Sequence, residues 1–291
     1  MSDKIIKGLA YNGRVNIIAI ESTDICEKAR KIHNLSPVCT AALGRLLTIT
    51  ALIGCGMKDK SNKLTIQIKG NGLIGTMLAV SNNTPIVKGY VTNSAVDLPL
   101  NEFGKLDVSG AVGTEGFIYV IKDIGLKDPY IGISPIISGE IGDDFANYFL
   151  NSEQTNSAVA LGVLVDKNGV KKAGGYIINP MPDAKKEDII NIEKSIFESG
   201  SVSRMLENNL SIEDIAKKAT GDNKLRIIEI NELAKYQCDC SKERMENALV
   251  ALGKNELEKI IEEDGKIEMS CHFCNKKYNF SKDELIVISQ S

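Results

Sequence analysis

The chain has no surplus of basic charge: 35 Lys and Arg stand against 38 Asp and Glu, for a formal net charge of -3. Nothing in that balance draws in a phosphate backbone, so no nucleic-acid partner is expected. The motif G-x-x-x-x-G-K-S/T is absent, which removes the usual cradle for ATP phosphates. Acidic residues are plentiful but show no paired-acid motif, and an enzyme is not expected. The opening stretch MSDKIIKGLAYNG has no basic region followed by a long apolar run and a small-residue cleavage site. It does not read as a signal peptide, and a cytoplasmic protein is the expectation.

Long apolar runs are also scarce. VCTAALGRLLTITALIGCGM, residues 38 to 57, is long enough to span a bilayer but carries Arg45 and several Thr and Gly. Holding Arg at mid-membrane depth costs about 2.5–3.5 kcal/mol even on the mildest scale. A helix buried in a soluble core is the better reading, with no membrane partner. Because it is apolar almost all round, it is expected inside the domain between two sheets.

What is present reads as an α+β protein in three parts. Residues 1–180 form an N-terminal β/α/β core domain, with Thr23 or Asp24 capping a first helix and Ser36-Pro37 opening the buried one. LTIQIKGNG, PIVKGYV, KLDVSG, GFIYVIKD and AVALGVLVDKNGVKKAGGYIINP read as strands, with one helix in EIGDDFANYFLNSEQT. Gly70-Asn71-Gly72-Leu73-Ile74-Gly75 fits G-x-G-x-x-G after a strand, and Asp97 stands where a ribose-binding acid would be sought. The next segment, TMLAVSNNTPIV, leaves no room for a helix before Asn83 and Pro85, so a hairpin turn is expected.

At Asn179-Pro180-Met181-Pro182 the strand character ends. Residues 181–232 read as a helical linker of short segments, with Ser211 to Asp214 as a capping-box variant. Nineteen of these positions are charged, so the linker is expected to be thin in apolar contacts and to undock at little cost. Ile189, Ile192, Ile196 and Phe197 are its modest apolar stripe. Residues 233–291 form a small C-terminal domain around the helical stretch SKERMENALVALGKNELEKIIEED.

Seven cysteines are unevenly spread. Cys26, Cys39 and Cys55 lie in apolar N-terminal sequence, where packing is the simplest role. The other four form two tight pairs, C-D-C at 238–240 and C-H-F-C at 271–274, separated by the segment 241–270. Paired cysteines in a reducing compartment point to metal or redox chemistry. Zinc takes four soft ligands in a tetrahedron, and Cys238, Cys240, Cys271 and Cys274 supply four thiolates. A domain this small gains from such a staple, worth on the order of 10–16 kcal/mol in peptide systems. His272 could replace a ligand, but four cysteines already complete the shell. Local disulfides are the alternative; a Cys238–Cys240 bond would need a tight turn. The two chemistries differ in topology, because a metal ties the pairs together across the whole intervening segment. Two local disulfides would close tiny loops and link nothing distant.

These features resemble the heat-shock protein 33 (33-kDa chaperonin) family. The resemblance rests on YQCDCSKERMENAL at 236–249, EDGKIEMSCHFCNKKYNF at 263–280, ARKIHNLSPVCTAALGRLLT at 29–48 and LTIQIKGNG at 64–72. It implies a stress-response chaperone whose C-terminal zinc domain is a redox switch, with one Zn(2+) per chain on Cys238, Cys240, Cys271 and Cys274 when reduced. It further implies that oxidation forms the disulfides Cys238–Cys240 and Cys271–Cys274, releases zinc and unfolds the switch and linker. The reduced monomer would then become a homodimeric, ATP-independent holdase that binds unfolded client proteins. A thiol–disulfide oxidoreductase using Cys271-His272-Phe273-Cys274 is the competing function. The late position of that motif, outside any βαβ pattern, counts against it.

Overall fold

A two-residue apolar period builds most of the sheets: in KLTIQIKG, Leu64, Ile66 and Ile68 face inward while their neighbours face out. The computed structural model describes residues 3–59 and 61–290. Its first strands, β1 (Ile5–Ala10) and β2 (Val15–Glu21), pair antiparallel across a tight turn. Tyr11 and Asn12 in that turn both hold positive φ, 52° and 57°.

Helix α1 (Thr23–His33) departs from the expected capping. The amides of Asp24 and Ile25 donate to the Asp3 carboxylate at 2.9 and 2.7 Å, so the cap comes from a residue distant in sequence. Thr23 Oγ1 instead accepts the Ala173 amide at 3.0 Å. Helix α2 (Pro37–Cys55) starts as expected, with Ser36 Oγ accepting the Cys39 amide at 3.3 Å and Pro37 in the first turn. Every residue after Pro37 except Arg45 is buried. The helix is long and apolar enough to cross a membrane, but it packs against strands of two sheets in the protein's own core.

The chain continues through β3 (Lys63–Gly70), β4 (Thr76–Asn82), β5 (Ile86–Val91), α3 (Val108–Val112), β6 (Gly116–Asp123), β7 (Tyr130–Pro135) and α4 (Gly142–Asn151). Residues 70–75 form the β3–β4 hairpin turn, as expected. The short helix α3 departs from expectation: KLDVSG reads as a strand, but Asp107 accepts the Gly110 amide at 2.8 Å and starts a helical turn. This helix explains the glycines. A Cβ on Gly70 or Gly72 would come within 2.0 Å of the Val112 carbonyl or 2.3 Å of the Ala111 carbonyl. They admit a backbone, not a phosphate.

Strands β8 (Ala158–Asp166) and β9 (Gly169–Pro180) lead to α5 (Lys186–Ser199), α6 (Val202–Glu207) and α7 (Ile212–Thr220), then to β10 (Arg226–Asn231) and β11 (Lys235–Tyr236). One sheet has the order β10-β1-β2-β9-β8; the other is β11-β5-β4-β3-β6-β7. Helix α2 fills the space between them. Helices α5 to α7 cover the other face of the five-stranded sheet, where Ile192, Val202, Met205, Leu206, Ile212 and Ile215 meet Ile6, Val15, Ile17, Tyr176 and Ile178. The apolar contact is therefore larger than the charge count suggested. At about 1.5–3 kcal/mol per large side chain, those six residues gain on the order of 10 kcal/mol before ordering costs. Phe197, by contrast, is 89% exposed. Arg14–Asp188 (2.8 Å) and Lys4–Glu213 (2.9 Å) frame the docked helices.

Contacts divide the chain after Gln237. Tyr236 closes the first unit: β11 pairs parallel with β5, and the Tyr236 hydroxyl donates to the Gly89 carbonyl at 2.8 Å. The second unit contains α8 (Lys242–Val250), α9 (Lys254–Glu263), the hairpin β12 (Lys266–Ser270) and β13 (Lys277–Ser281), and α10 (Lys282–Ser289). The single helical stretch read from sequence is broken at Gly253, whose φ of 87° no helix accommodates. Leu249, Leu257, Tyr278, Phe280 and Leu285 form its small core beside Cys271. The α+β class, the helix buried between sheets and the small cysteine-bearing C-terminal domain all agree with expectation.

Candidate metal centre

Two short segments bring the four C-terminal thiols together. Cys238 and Cys240 lie in the irregular stretch before α8, whose Ser241 Oγ accepts the Arg244 amide at 3.3 Å and fixes where the helix begins. Arg244 also pairs with Asp239 at 2.7 Å, holding the residue between the two cysteines. Cys271 and Cys274 form the tip of the β12–β13 hairpin. There the amides of Cys274 and Asn275 donate to the Cys271 carbonyl at 3.2 and 2.8 Å, and the Cys271 amide donates to the Lys276 carbonyl at 2.9 Å. Asn275 completes the turn with a φ of 57°.

All four sulfur atoms lie within 4.8 Å of one another. Close approaches run across the pairs: Cys238 to Cys271 at 3.7 Å and Cys240 to Cys274 at 3.4 Å. A tetrahedral ion bound at about 2.3 Å per sulfur needs edges of about 3.8 Å, so the cluster fits a metal of zinc's size and softness. Cys271 is buried and the other three are partly covered.

The electrostatics are those of a group of thiols sharing protons. Burial opposes ionisation of Cys240, yet the Tyr278 hydroxyl, donating to its sulfur at 3.1 Å, and the neighbouring thiols lower its pKa to about 7. Burial raises Cys238 and Cys274. Tyr278 itself is pushed up to about 12 by its hydrogen bond to Cys240.

The four cysteines expected as ligands from sequence lie together in this cluster, while His272 is exposed and outside it. Cys26, Cys39 and Cys55 are buried in the first unit. Burial pushes Cys26 up to about 12 and raises Cys39 and Cys55, which keeps these thiols protonated and unreactive. Tyr278 is the side chain touching the cluster that sequence reasoning misses. Its only signal is strand alternation in KYNFS, which turns Tyr278 and Phe280 inward together.

The whole chain is similar to known proteins. Residues 3–281 match the family model described as Hsp33 protein. A 33 kDa chaperonin of Caldanaerobacter subterraneus subsp. tengcongensis is 50% identical over 286 residues, covering 98% of this chain and 97% of the relative. That of Clostridioides difficile is 46% identical over 288 residues, covering 99% of both. The crystal structure of the 33 kDa chaperonin (heat shock protein 33 homolog) from Thermotoga maritima superposes with a TM-score of 0.91 at 38% identity. It covers 100% of this chain and 98% of that one.

Proposed function

Since this chain belongs to the Hsp33 family of chaperones, we propose that it is a redox-switched holdase of the cytoplasm that binds unfolding proteins without ATP. The observation that carries the reading is the four-sulfur cluster itself, built from two segments distant in sequence and shaped for one soft ion. In this reading Cys238, Cys240, Cys271 and Cys274 are the zinc ligands of a reduced monomer. The bound ion supplies a cross-link between the two pairs, without which the small C-terminal core has no long-range staple.

Oxidation joins Cys238 to Cys240 and Cys271 to Cys274. Each bond withdraws two thiolates, so the chain loses its ligand set. In the reduced cluster Cys238 approaches Cys271 and Cys240 approaches Cys274, so bonding within the pairs gives up contacts that hold the two segments together. Oxidation and loosening of residues 233–291 are then one event. The linker helices α5–α7 undock in consequence and bare the apolar layer they share with the five-stranded sheet. That surface suits unfolding clients, and the oxidised form dimerises.

The test measures zinc content and suppression of client aggregation before and after peroxide with mild heat. One zinc per reduced chain, followed by zinc loss and a gain of holdase activity, is the expected result. Full activity in the reduced, zinc-loaded protein would reject switching. Catalytic turnover in an insulin-reduction assay would favour an oxidoreductase.

A further inference from the structure

We propose that Tyr278 sets how fast the cysteine centre responds to oxidant, by donating a hydrogen bond to the Cys240 sulfur. The inference rests on the redox reading above. Tyr278 sits on β13 opposite Met269, is 7% exposed, and its hydroxyl lies 3.1 Å from Cys240 Sγ. The Lys276 ammonium lies 5.0 Å from its ring centroid, where a cation draws electron density from the ring and strengthens the hydroxyl as a donor. The ring is fixed by the hairpin ladder and by the core of the second unit. The hydroxyl is held in place rather than passing through.

The chemistry gives this contact a direction. In oxidation by hydrogen peroxide, a thiolate sulfur attacks one peroxide oxygen, the O–O bond breaks, and hydroxide leaves. The resulting sulfenic acid is attacked by the second thiolate of the pair; the S–S bond forms and a second hydroxide leaves. Two electrons pass from two sulfurs to one peroxide. In the zinc-loaded protein the thiols would already be ionised as ligands, so an O–H group donating to the sulfur adds no thiolate; it holds the electron density that the attack must release and lowers nucleophilicity. The donor to Cys240 is a side chain, and its identity tunes the site. Tyr278 is thus a positioning residue acting through Cys240.

The experiment uses the full-length zinc-loaded protein and follows zinc release by peroxide with a chromogenic chelator. Tyr278→Phe keeps the ring and deletes the donor; release is expected to be about three- to tenfold faster, with zinc stoichiometry unchanged. An equal or slower rate overturns the proposal. Phe280→Leu loosens the same strand without touching the hydrogen bond, and an equal acceleration by it would also overturn the proposal. Should Tyr278→Phe fail to take up zinc, 3-fluorotyrosine at position 278, a stronger donor of the same shape, is expected to slow release; faster or unchanged release refutes the role. A wild type that keeps its zinc under peroxide would reject the redox reading itself. A responsive wild type with an unaltered variant rejects only the part assigned to Tyr278.

Discussion

Glu27 ties α1 to the start of β9. Its carboxylate accepts from Arg30 Nε at 2.8 Å and from the Val170 amide at 3.0 Å, and Lys31 lies 3.3 Å away. The Arg30 hydrogen bond leads in lowering its pKa from 4.5 to about 2, against the opposing effect of burial. A carboxyl depressed in the folded state contributes stability that is present above pH 4.5 and lost as pH falls through about 2. Glu27→Gln is expected to cost about 1 kcal/mol at neutral pH, an amount suited to a partly exposed pair. In urea unfolding, the gap between wild type and variant should close from pH 4.5 towards 2; a constant gap would contradict this assignment. At this scale the sequence is readable only where chemistry repeats at short spacing. The cysteine pairs announce themselves through C-x-C and C-x-x-C. The Asp3 cap on α1 and the Tyr278 donor do not, because each depends on a partner far along the chain.

Among the elements, the helices between β9 and β10 carry the larger part of the proposed response. Ile215 is fully buried beneath α7. Ile215→Asp places a charge in that apolar layer, and the helix should leave the sheet to keep the carboxylate hydrated. The reduced variant is expected to suppress client aggregation in light scattering and to be nicked by trypsin within residues 181–225. A variant that undocks yet binds no client would show that this layer is not the client surface. Short helices are legible here because their ends are marked. Ser201 and Ser211 accept amides at their starts, and Gly221 ends α7 with a φ of 67°. Their grip on the sheet is not legible, since charge counting ignores which face the few apolar residues share. Helix α3 is missed for a related reason: KLDVSG alternates like a strand, and only Asp107 at the cap position decides otherwise.

For the whole molecule, the division after Gln237 separates a large core from one that relies on few side chains. Stripping metal under reducing conditions with a strong chelator should therefore abolish the unfolding transition of the C-terminal unit in calorimetry and leave that of the first unit in place. Loss of both transitions together would mean that the two cores fold as one. The buried helix and the two-sheet class are visible in an all-round apolar run flanked by alternating segments. Strand order is not, because β10 and β11 are short, late additions to sheets whose other members lie far earlier in the chain.

Those two late strands have a further consequence. Beyond Pro180 the chain leaves β9, and at Arg226 it rejoins the same sheet through β10, alongside β1. The segment 181–225 is thus a closed loop, pinned at both ends for as long as β10 stays paired. A free tail would have to find its landing surface by searching space; a pinned loop of this size has already met a closure cost of about 3 kcal/mol. Recovery after stress would then be an intramolecular zipping, whose rate should not depend on protein concentration.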